Sequence, residues 1–542
     1  AALRWARRAG PRRRALVEIA TLEVVAACLG DLIPRAACPR RAAARFADAP
    51  LPGSAEDRSS PPACLASALP TNTPPPMAAG VDGDWPASGV PAGRPGGARP
   101  AVLPCADGYV ALSAPSAIDR DLLAGLTGID AVRAPDADLG REFAAWLAAH
   151  TRDEIFHAAQ LWRLPILPVL SPDQVYADAQ CAARGVWVGE NSRRVARSPF
   201  RFSAIWSNGV KVGRGLVPRR LACGVDRAEG DKPLPYENGL LSLPTSHSDP
   251  LPGREGGLPL GDLCVLDLGM VWAGPYCGRL LAGLGARVMK IEGPTRRDGT
   301  RPADPAGCAG AFGDLNRGKE SVVLDLASSG GRAAFLRLAA RADAVLENFS
   351  PRVMPNFALD YAVLANANPA LLMLSMPAFG ASGPWAQYVA YGSGLELVTG
   401  LAATLDGRPV PAPVAYLDYL AGAYGAAGLL AALLARDGSG RGAHVELAQR
   451  EVACQLLADA EALEAAPAPW SLDVAALAAD PHLRARGLFA TPPAANGAHC
   501  YHYARLPWRL HGVPLPAERP APLFGADSRR VLAEVAAGLG HS

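Results

Sequence analysis

The sequence lacks the short motifs that identify several large enzyme classes. No GxGxxG opens the first helix of its α/β region, and it contains neither a GxSxG nucleophile elbow nor an HExxH zinc motif. Its 11 cysteines form no CxxC pair, and no set of cysteines and histidines has the spacing of zinc ligands. The sequence therefore predicts reduced, mostly buried thiols and no metal site.

An excess of charge of either sign is also missing. The 53 basic and 51 acidic residues leave a net charge of +2, and no nucleic-acid-binding motif occurs. The basic residues at 1–14 are not followed by the apolar segment of a secretory signal. The most membrane-like run, 419–435, is rich in Ala and Gly, whereas a span needs about 20 strongly apolar residues. We therefore expect a cytoplasmic protein without nucleic-acid or membrane partners.

What the sequence does contain is an internal repeat. VEIATLEV at 17–24 resembles VELAQREV at 445–452, and ADAQCAARGVW at 177–187 resembles ADPHLRARGLF at 479–489. PFRFS, which begins at Pro199, resembles PWRL, which begins at Pro507. Because the two sets differ in spacing, we interpret the chain as two incomplete tandem copies of one unit. We expect it to be a truncated piece of a longer tandem protein.

The repeat gives a predicted domain organisation. The first copy spans 1–245, with a helix over 1–30, a Pro/Gly-rich loop over 48–100, a small domain over 101–176 and a return segment over 177–235. A linker follows over 236–259, and the second copy spans 260–542, with a Rossmann-like large domain over 260–457 and a shortened return segment over 470–542.

The second copy alternates predicted strands and helices. Strands are expected at 263–270, 287–294, 321–326, 343–349 and 370–380, with helices after the first and third of them. This alternation predicts an α/β fold, in which a large domain with a mainly parallel sheet accompanies a smaller α+β domain. Ligands are expected in the loops after the carboxyl ends of the strands.

Those loops carry the candidate functional residues, each of which also has an ordinary structural interpretation. Lys319 in NRGKE could be a solvated surface lysine. Asn348 and Phe349 in ENFSP could be a turn former and a core residue. Asp418 in LDYLAG precedes a long apolar run and could cap a helix. No single one of these residues identifies a function.

Five stretches taken in order resemble the class III CoA-transferases, the CaiB/BaiF type. They are VLDLGMVWAGPYCGRLLAGLGARVMKIEGP, LNRGKESVVLDL, ADAVLENFSPRVM, AFGASGP and LDYLAGAYGAAGLLAALLARDGSGRGAHVELAQRE. The family includes formyl-CoA transferase, carnitine CoA-transferase and the α-methylacyl-CoA racemases. PCADGYVALSAP at 104–115 and residues 143–187 resemble the family's small domain. The resemblance implies two interlocked rings.

The resemblance also implies roles for residues. Asp418 occupies the position of the family's nucleophilic aspartate. Lys319, Asn348 and Phe349 stand where the family contacts coenzyme A, and Ala273 and Gly274 lie in the loop at the thioester end. Coenzyme A and acyl-CoA enter as substrates, and no metal or permanently bound cofactor is implied.

Several positions depart from the family pattern. Trp272 replaces the glutamine of formyl-CoA transferase, and Gly293 and Asn356 stand where arginines are expected. Residues 392–394 are Gly-Ser-Gly, where the racemase branch keeps a titratable pair. Because proton transfer at an α-carbon needs two titratable groups, this departure disfavours a racemase.

The sequence thus predicts a CoA-transferase that moves coenzyme A between an acyl-CoA and a carboxylic acid through a covalent aspartyl intermediate. A CoA-thioester racemase, isomerase or lyase on the same fold and a catalytically impaired fragment are the alternatives. We expect the first copy's small domain to meet the second copy's large domain, as an intrachain pseudo-dimer or in a homodimer.

Overall fold

A computed structural model describes residues 17–19, 100–113, 120–130, 136–188, 195–203, 258–302, 310–405, 408–412, 414–458, 480–485, 488–490, 503–506, 508–510 and 519–537. The predicted loop is outside these residues except for Pro100, and the predicted linker is outside them except for 258–259.

The strands are β1 (Val17–Ile19), β2 (Ala101–Cys105), β3 (Gly108–Leu112), β4 (Ile166–Pro168), β5 (Trp187–Val188), β6 (Val195–Ala196), β7 (Phe200–Ser203), β8 (Cys264–Asp267), β9 (Arg287–Glu292), β10 (Glu320–Val323), β11 (Ala344–Glu347), β12 (Leu372–Ser375), β13 (Ala403–Leu405), β14 (Arg408–Val410), β15 (Ala443–Leu447), β16 (Phe489–Ala490), β17 (Tyr503–Ala504) and β18 (Trp508–Leu510). The helices are α1 (Arg120–Thr127), α2 (Asp136–Ala148), α3 (Arg152–Leu161), α4 (Pro172–Ala177), α5 (Ala179–Arg184), α6 (Ala273–Gly283), α7 (Gly310–Leu315), α8 (Ser329–Ala339), α9 (Val353–Asn356), α10 (Tyr361–Ala367), α11 (Gly392–Val398), α12 (Tyr416–Ser439), α13 (Gln449–Ala458), α14 (Pro481–Ala485) and α15 (Ser528–Ala537).

A seven-stranded sheet forms the centre of the large domain, in the order β10-β9-β8-β11-β12-β15-β7. The first six strands are parallel, and β7 joins the edge antiparallel to β15. Every residue of β8, β9, β11 and β12 is buried, as expected for parallel strands covered by helices on both faces. The predicted α/β fold class is confirmed.

Helices cover the two faces of this sheet. Val265 of β8 belongs to the cluster that contains α6 and α12, whereas its neighbour Leu266 belongs to the cluster that contains α8, α10 and α15. Alternate residues of one strand thus supply opposite cores. Helix α12 is long and apolar enough to cross a membrane, but it is mostly buried inside the protein.

The small domain is a three-stranded antiparallel sheet of β2, β3 and β4 packed against three helices. Its core includes Leu112, Phe143 and Ile155, contributed by β3, α2 and α3. Helix α3 begins with a complete capping box between Thr151 and Glu154, which satisfies amides at the helix start. Helix α3 also meets the large domain, where Gln160 donates to the Val389 carbonyl at 3.1 Å.

The first 203 residues contribute to the large domain as well. Strand β7 completes the central sheet, with Arg201 opposite Glu446 of β15. Strand β1 pairs antiparallel with β18, with Glu18 opposite Arg509. The sequence repeat matches Glu18 with Glu446 and PWRL with PFRFS, so the two pairings share one register. Each pairing joins a segment of the first half to a segment of the second.

Strand β1 corrects one prediction. A continuous helix over 1–30 was expected, but Val17–Ile19 is a strand. In the sequence repeat, these three residues match 445–447 of β15. The β-branched residues Val17 and Ile19 favour the same extended conformation here. The remainder of the predicted helix lies outside the described residues.

Buried polar contacts connect the two halves. Gln180 of α5 donates to the carbonyl oxygens of Phe379 and Ser382, at 2.7 and 2.9 Å. The Arg184 guanidinium pairs with Glu446 at 2.7 Å and also with Glu451. Because these charged groups are withdrawn from water, each depends on its partner across the contact.

Candidate active site

Asp418 is the third residue of α12, not its cap. The N-cap is Ala415, which has no side-chain capping bond. The interpretation of Asp418 as a helix N-cap is therefore wrong, because the helix begins before it. Its side chain is instead buried against the start of another helix, with 8% of the residue exposed.

The start of α11 receives the Asp418 carboxylate. The Gly392 amide donates to it, and a Cβ added to Gly392 would lie 2.3 Å from the carboxylate Cγ. Only glycine permits so close an approach. Burial raises the pKa of Asp418 to about 7, and the Gly392 hydrogen bond partly offsets this shift. A carboxylate with few partners and little hydration is a better nucleophile than one in water.

Sequence reasoning missed a second carboxyl group beside Asp418. Glu396 lies one turn further along α11, is 2% exposed, and accepts from the amide of Leu417 at 3.2 Å. Burial, together with the charge of Asp418, raises the pKa of Glu396 to about 9. The only sequence signal was a single acid within the apolar stretch LELV, between Gly394 and Gly400.

The start of α6 lies against the same helix. A Cβ added to Gly422 would lie 2.7 Å from the Ala273 carbonyl oxygen, so α12 and α6 cross in close contact one turn after Asp418. Trp272 is the N-cap of α6 and makes no side-chain capping bond. The amides of Ala273 and Gly274 have no acceptor within the helix, and the helix dipole makes this end attractive to anions.

The loop that leads into α6 is held at consecutive backbone groups. Asn348 accepts from the Met270 amide at 2.7 Å and donates to the Met270 carbonyl at 2.9 Å. The Asp298 carboxylate accepts from the Val271 amide at 3.3 Å. Val271 has a φ of 68°, a left-handed conformation that is strained for a β-branched residue. These bonds hold the strained loop in one shape.

Lys319 is buried and is not a surface lysine. Its Nζ donates to Asp267 at 2.7 Å, to the Pro275 carbonyl at 2.7 Å and to Asn316 at 2.8 Å. Burial lowers the pKa of Lys319 to about 8, against the opposing effect of Asp267. The interpretation as a solvated side chain is wrong, because the partner carboxylate lies on β8, distant in sequence. The three donors of the ammonium group are all used inside the protein.

Phe349 follows β11 and packs against the core cluster that contains α8 and α10. Its amide donates to Glu347 at 2.7 Å. Burial raises the pKa of Glu347 to about 7. The structure thus places Asn348 at the loop before α6, Lys319 at the first turn of α6 and the partly buried Phe349 against the core. Their predicted contact with coenzyme A stays a prediction.

The AFGASGP loop, at 378–384, contacts both Gln180 of the first half and β15 of the second. The Ala381 amide donates to Glu446 at 3.0 Å, and Gln180 bonds carbonyl groups on the loop. Gly380 and Gly383 have φ values of 87° and 90°, which glycine adopts without strain.

The small domain contacts α11, the helix whose start receives the Asp418 carboxylate. The Leu170 amide donates to the Leu397 carbonyl at 3.2 Å. A Cβ added to Gly394 would lie 2.1 Å from Ser113 Oγ and 2.5 Å from Leu167. Ser113, Leu167 and Leu170 of the first half therefore contact α11 directly, and α11 in turn contacts Asp418.

A family model described as CoA-transferase family III matches residues 64–209 and 260–469, which together make up more than half of the chain. The match includes residues of both halves, the start of α6 and Asp418.

Curated relatives carry related descriptions. A probable CoA-transferase of Mycobacterium tuberculosis is 32% identical over 465 residues, which cover 79% of this chain and 55% of that protein. The succinate–glutarate CoA-transferase of Agrobacterium fabrum is 37% identical over 216 residues, which cover 37% of this chain and 53% of that protein. The succinyl-CoA–L-malate CoA-transferase alpha subunit of Chloroflexus aurantiacus is 33% identical over 239 residues, which cover 42% of this chain and 55% of that protein. The chain spans about half the length of these relatives.

Among solved structures, a CaiB/BaiF family protein from Brucella suis is 24% identical with a TM-score of 0.44. The match covers 50% of this chain and 98% of that one.

Proposed function

Because the chain belongs to the CoA-transferase family III, we propose that it moves coenzyme A between an acyl-CoA and a carboxylic acid, with Asp418 as the covalent nucleophile. The observation that carries this proposal is the placement of Asp418: a buried carboxylate held by the Gly392 amide, on a helix whose next turn crosses the start of α6. Coenzyme A thioesters and carboxylic acids are the substrates.

The first half of the reaction loads coenzyme A onto the enzyme. The ionised Asp418 attacks the thioester carbonyl, so that a C–O bond forms, the C–S bond breaks and the CoA thiolate leaves. The thiolate then attacks the aspartyl carbonyl of the mixed anhydride. A new C–S bond forms, and the donor leaves as a carboxylate.

The second half reverses these steps with a different acid. The acceptor carboxylate attacks the aspartyl thioester and expels the thiolate, which then attacks the acceptor's carbonyl. The products are the new acyl-CoA and a regenerated Asp418 carboxylate, so no oxidant or added proton is required. Amides at Ala273 and Gly274 are suited to stabilise the oxyanions that form.

Two features support a composite site within one chain. The small domain of the first half braces α11 through Ser113, Leu167 and Leu170. Strand β7, also from the first half, completes the sheet of the second. The shared register of the β1–β18 and β15–β7 pairings supports the interpretation as two tandem copies.

A second candidate is a CoA-thioester racemase or isomerase. The sequence disfavoured it because residues 392–394 supply no titratable pair. Glu396 and Asp418 nevertheless place two buried carboxyl groups together, with pKa values raised to about 9 and about 7. One protonated and one ionised carboxyl group is an arrangement suited to acid–base chemistry.

The two candidates give different products. The full-length chain is incubated with succinyl-CoA and separate acceptor acids, including glutarate, malate and oxalate, and the CoA esters are separated by chromatography. Transfer predicts a new acyl-CoA that the Asp418→Asn variant does not form. Failure of every acceptor, combined with deuterium uptake at the α-carbon of a 2-methylacyl-CoA in heavy water, would instead favour the isomerase.

A further inference from the structure

Helix α12 starts without a side-chain cap of its own, although its first turn carries Asp418. The missing cap is supplied from α11. Glu396 accepts from the Leu417 amide at 3.2 Å, whereas the Tyr416 amide donates to the Val414 carbonyl at 2.8 Å. The Leu417 amide, which has no acceptor within its own helix, is thereby paired with a carboxyl group from a neighbouring helix.

Within the described part of the chain, only one oxygen of Glu396 has a hydrogen-bond partner. Oε2 is buried and has no hydrogen-bond partner among the residues that the structure describes. A buried carboxylate oxygen without a donor carries a much larger desolvation penalty than an unpaired neutral carboxyl group. The geometry therefore favours the neutral acid.

The charge of Asp418 favours the same state. Helix α12 brings Asp418, whose charge opposes ionisation of Glu396, and Tyr416. Strands β3 and β4, which also pack against α11, carry no charged side chain. Helix α13 brings Arg450, whose guanidinium donates to the Val398 carbonyl at 3.0 Å and pairs with Asp178.

We propose that Glu396 is a positioning residue, which holds the first turn of α12 as a neutral acid and thereby presents Asp418 as the nucleophile. This inference rests on the proposed function for its catalytic part. When Glu396 ionises, it places an additional negative charge beside the Asp418 carboxylate and the CoA thiolate. These like charges repel one another. The reaction should then slow.

The raised pKa also fixes the direction of a stability effect. The ordinary pKa of a glutamate is 4.5, and that of Glu396 in the folded protein is about 9. The folded state therefore holds a proton that the unfolded state has lost between these values. Stability contributed by the neutral group is complete below pH 4.5 and is lost as pH rises through about 9.

The test compares the full-length wild type with two variants. Glu396→Gln keeps an acceptor for the Leu417 amide and cannot ionise, whereas Glu396→Leu removes the acceptor. Urea unfolding is measured from pH 6 to 9.5, and the rate of CoA loading from succinyl-CoA onto the protein is measured by intact mass over the same range.

In wild type, the loading rate should rise through pH 7 and fall about tenfold per pH unit above pH 9. In Glu396→Gln the fall above pH 9 should be absent, and in Glu396→Leu the rate should be low throughout. Wild type should also lose stability with pH more steeply than Glu396→Gln, by up to about tenfold in the unfolding constant per pH unit.

If the unfolding free energies of wild type and Glu396→Gln depend equally on pH, Glu396 does not cap α12 as a neutral acid. If the loading rate of Glu396→Gln still falls above pH 9, the proposed effect of Glu396 ionisation on Asp418 is overturned. If no CoA loads onto wild type at any pH while the unfolding slopes differ, the proposed function and the catalytic part of this inference fail, and only the neutral cap is upheld.

Discussion

At the scale of single residues, the site depends on how closely backbone and side chains approach. Gly392 is the clearest case, because the Asp418 carboxylate lies directly against its backbone. Asn348 contributes by fixing the loop before α6, and Lys319 by bonding the Pro275 carbonyl in the first turn of α6. Residues that look like ligand contacts in the sequence can therefore act one step away from the reacting atoms.

Gly392→Ala should displace the Asp418 carboxylate. The added Cβ would lie 2.3 Å from Cγ, a distance that the side chain must relieve by moving. We expect CoA transfer to fall at least about tenfold, because small displacements of a reacting group are costly. Gly330→Ala, in the first turn of α8 with no atom within 4 Å of the added Cβ, is the matched control and should retain activity. Equal transfer rates in the two variants would contradict this geometry.

Lys319→Met should leave Asp267 buried without its cation. Breaking a buried pair in this way costs about 3–5 kcal/mol of unfolding free energy, measured by urea denaturation. Adding Asp267→Asn to this variant removes the unpaired charge and should recover part of the loss. A change below about 0.5 kcal/mol in the single variant, typical of surface sites, would show that the pair is not buried in solution.

At the scale of helices and strands, the sequence predicted much and missed specific contacts. The buried strands of the parallel sheet were predictable because their apolar runs are bounded by glycine and charged residues. The burial of Lys319 was not, since Asp267 is remote in sequence and only the pairing of β8 with its neighbours brings them together. Glu396 was missed for the same reason: its target amide belongs to another helix.

Gly422→Ala should separate α12 from α6. The added Cβ would lie 2.7 Å from the Ala273 carbonyl oxygen, a backbone atom that cannot rotate away. Overpacking of this kind costs about 1–3 kcal/mol of unfolding free energy. Gly438→Ala, in the last turn of the same helix with open space around it, is the control and should be neutral or stabilising. Equal stability of both variants would argue against the close crossing.

At the scale of the whole molecule, the chain closes its main sheet with a strand from its own first half. The Glu18–Arg509 and Glu446–Arg201 pairings have matching registers, as the proposed tandem copies would require. The sequence predicted the repeat and a contact between the halves. It could not predict that β1 pairs with β18 and β7 with β15, because pairing partners are set by tertiary folding.

Cleavage of the chain between its halves should leave them associated. A protease site inserted after residue 245 of the full-length protein allows the cut to be made after folding. The halves should elute together in size-exclusion chromatography, because β7 is paired with β15 and Arg184 is buried against Glu446 and Glu451. Separation of the halves without denaturant would refute the composite domain.

The central claim is that Asp418 carries coenzyme A as a thioester, and trapping that bond is its most direct test. The full-length protein is incubated with succinyl-CoA, treated with hydroxylamine and digested, and the peptide that contains Asp418 is sequenced by mass spectrometry. The account predicts a hydroxamate on Asp418 that depends on succinyl-CoA and is absent from Asp418→Asn. An unmodified Asp418 in protein that demonstrably transfers CoA, or a hydroxamate on a different residue, would contradict it.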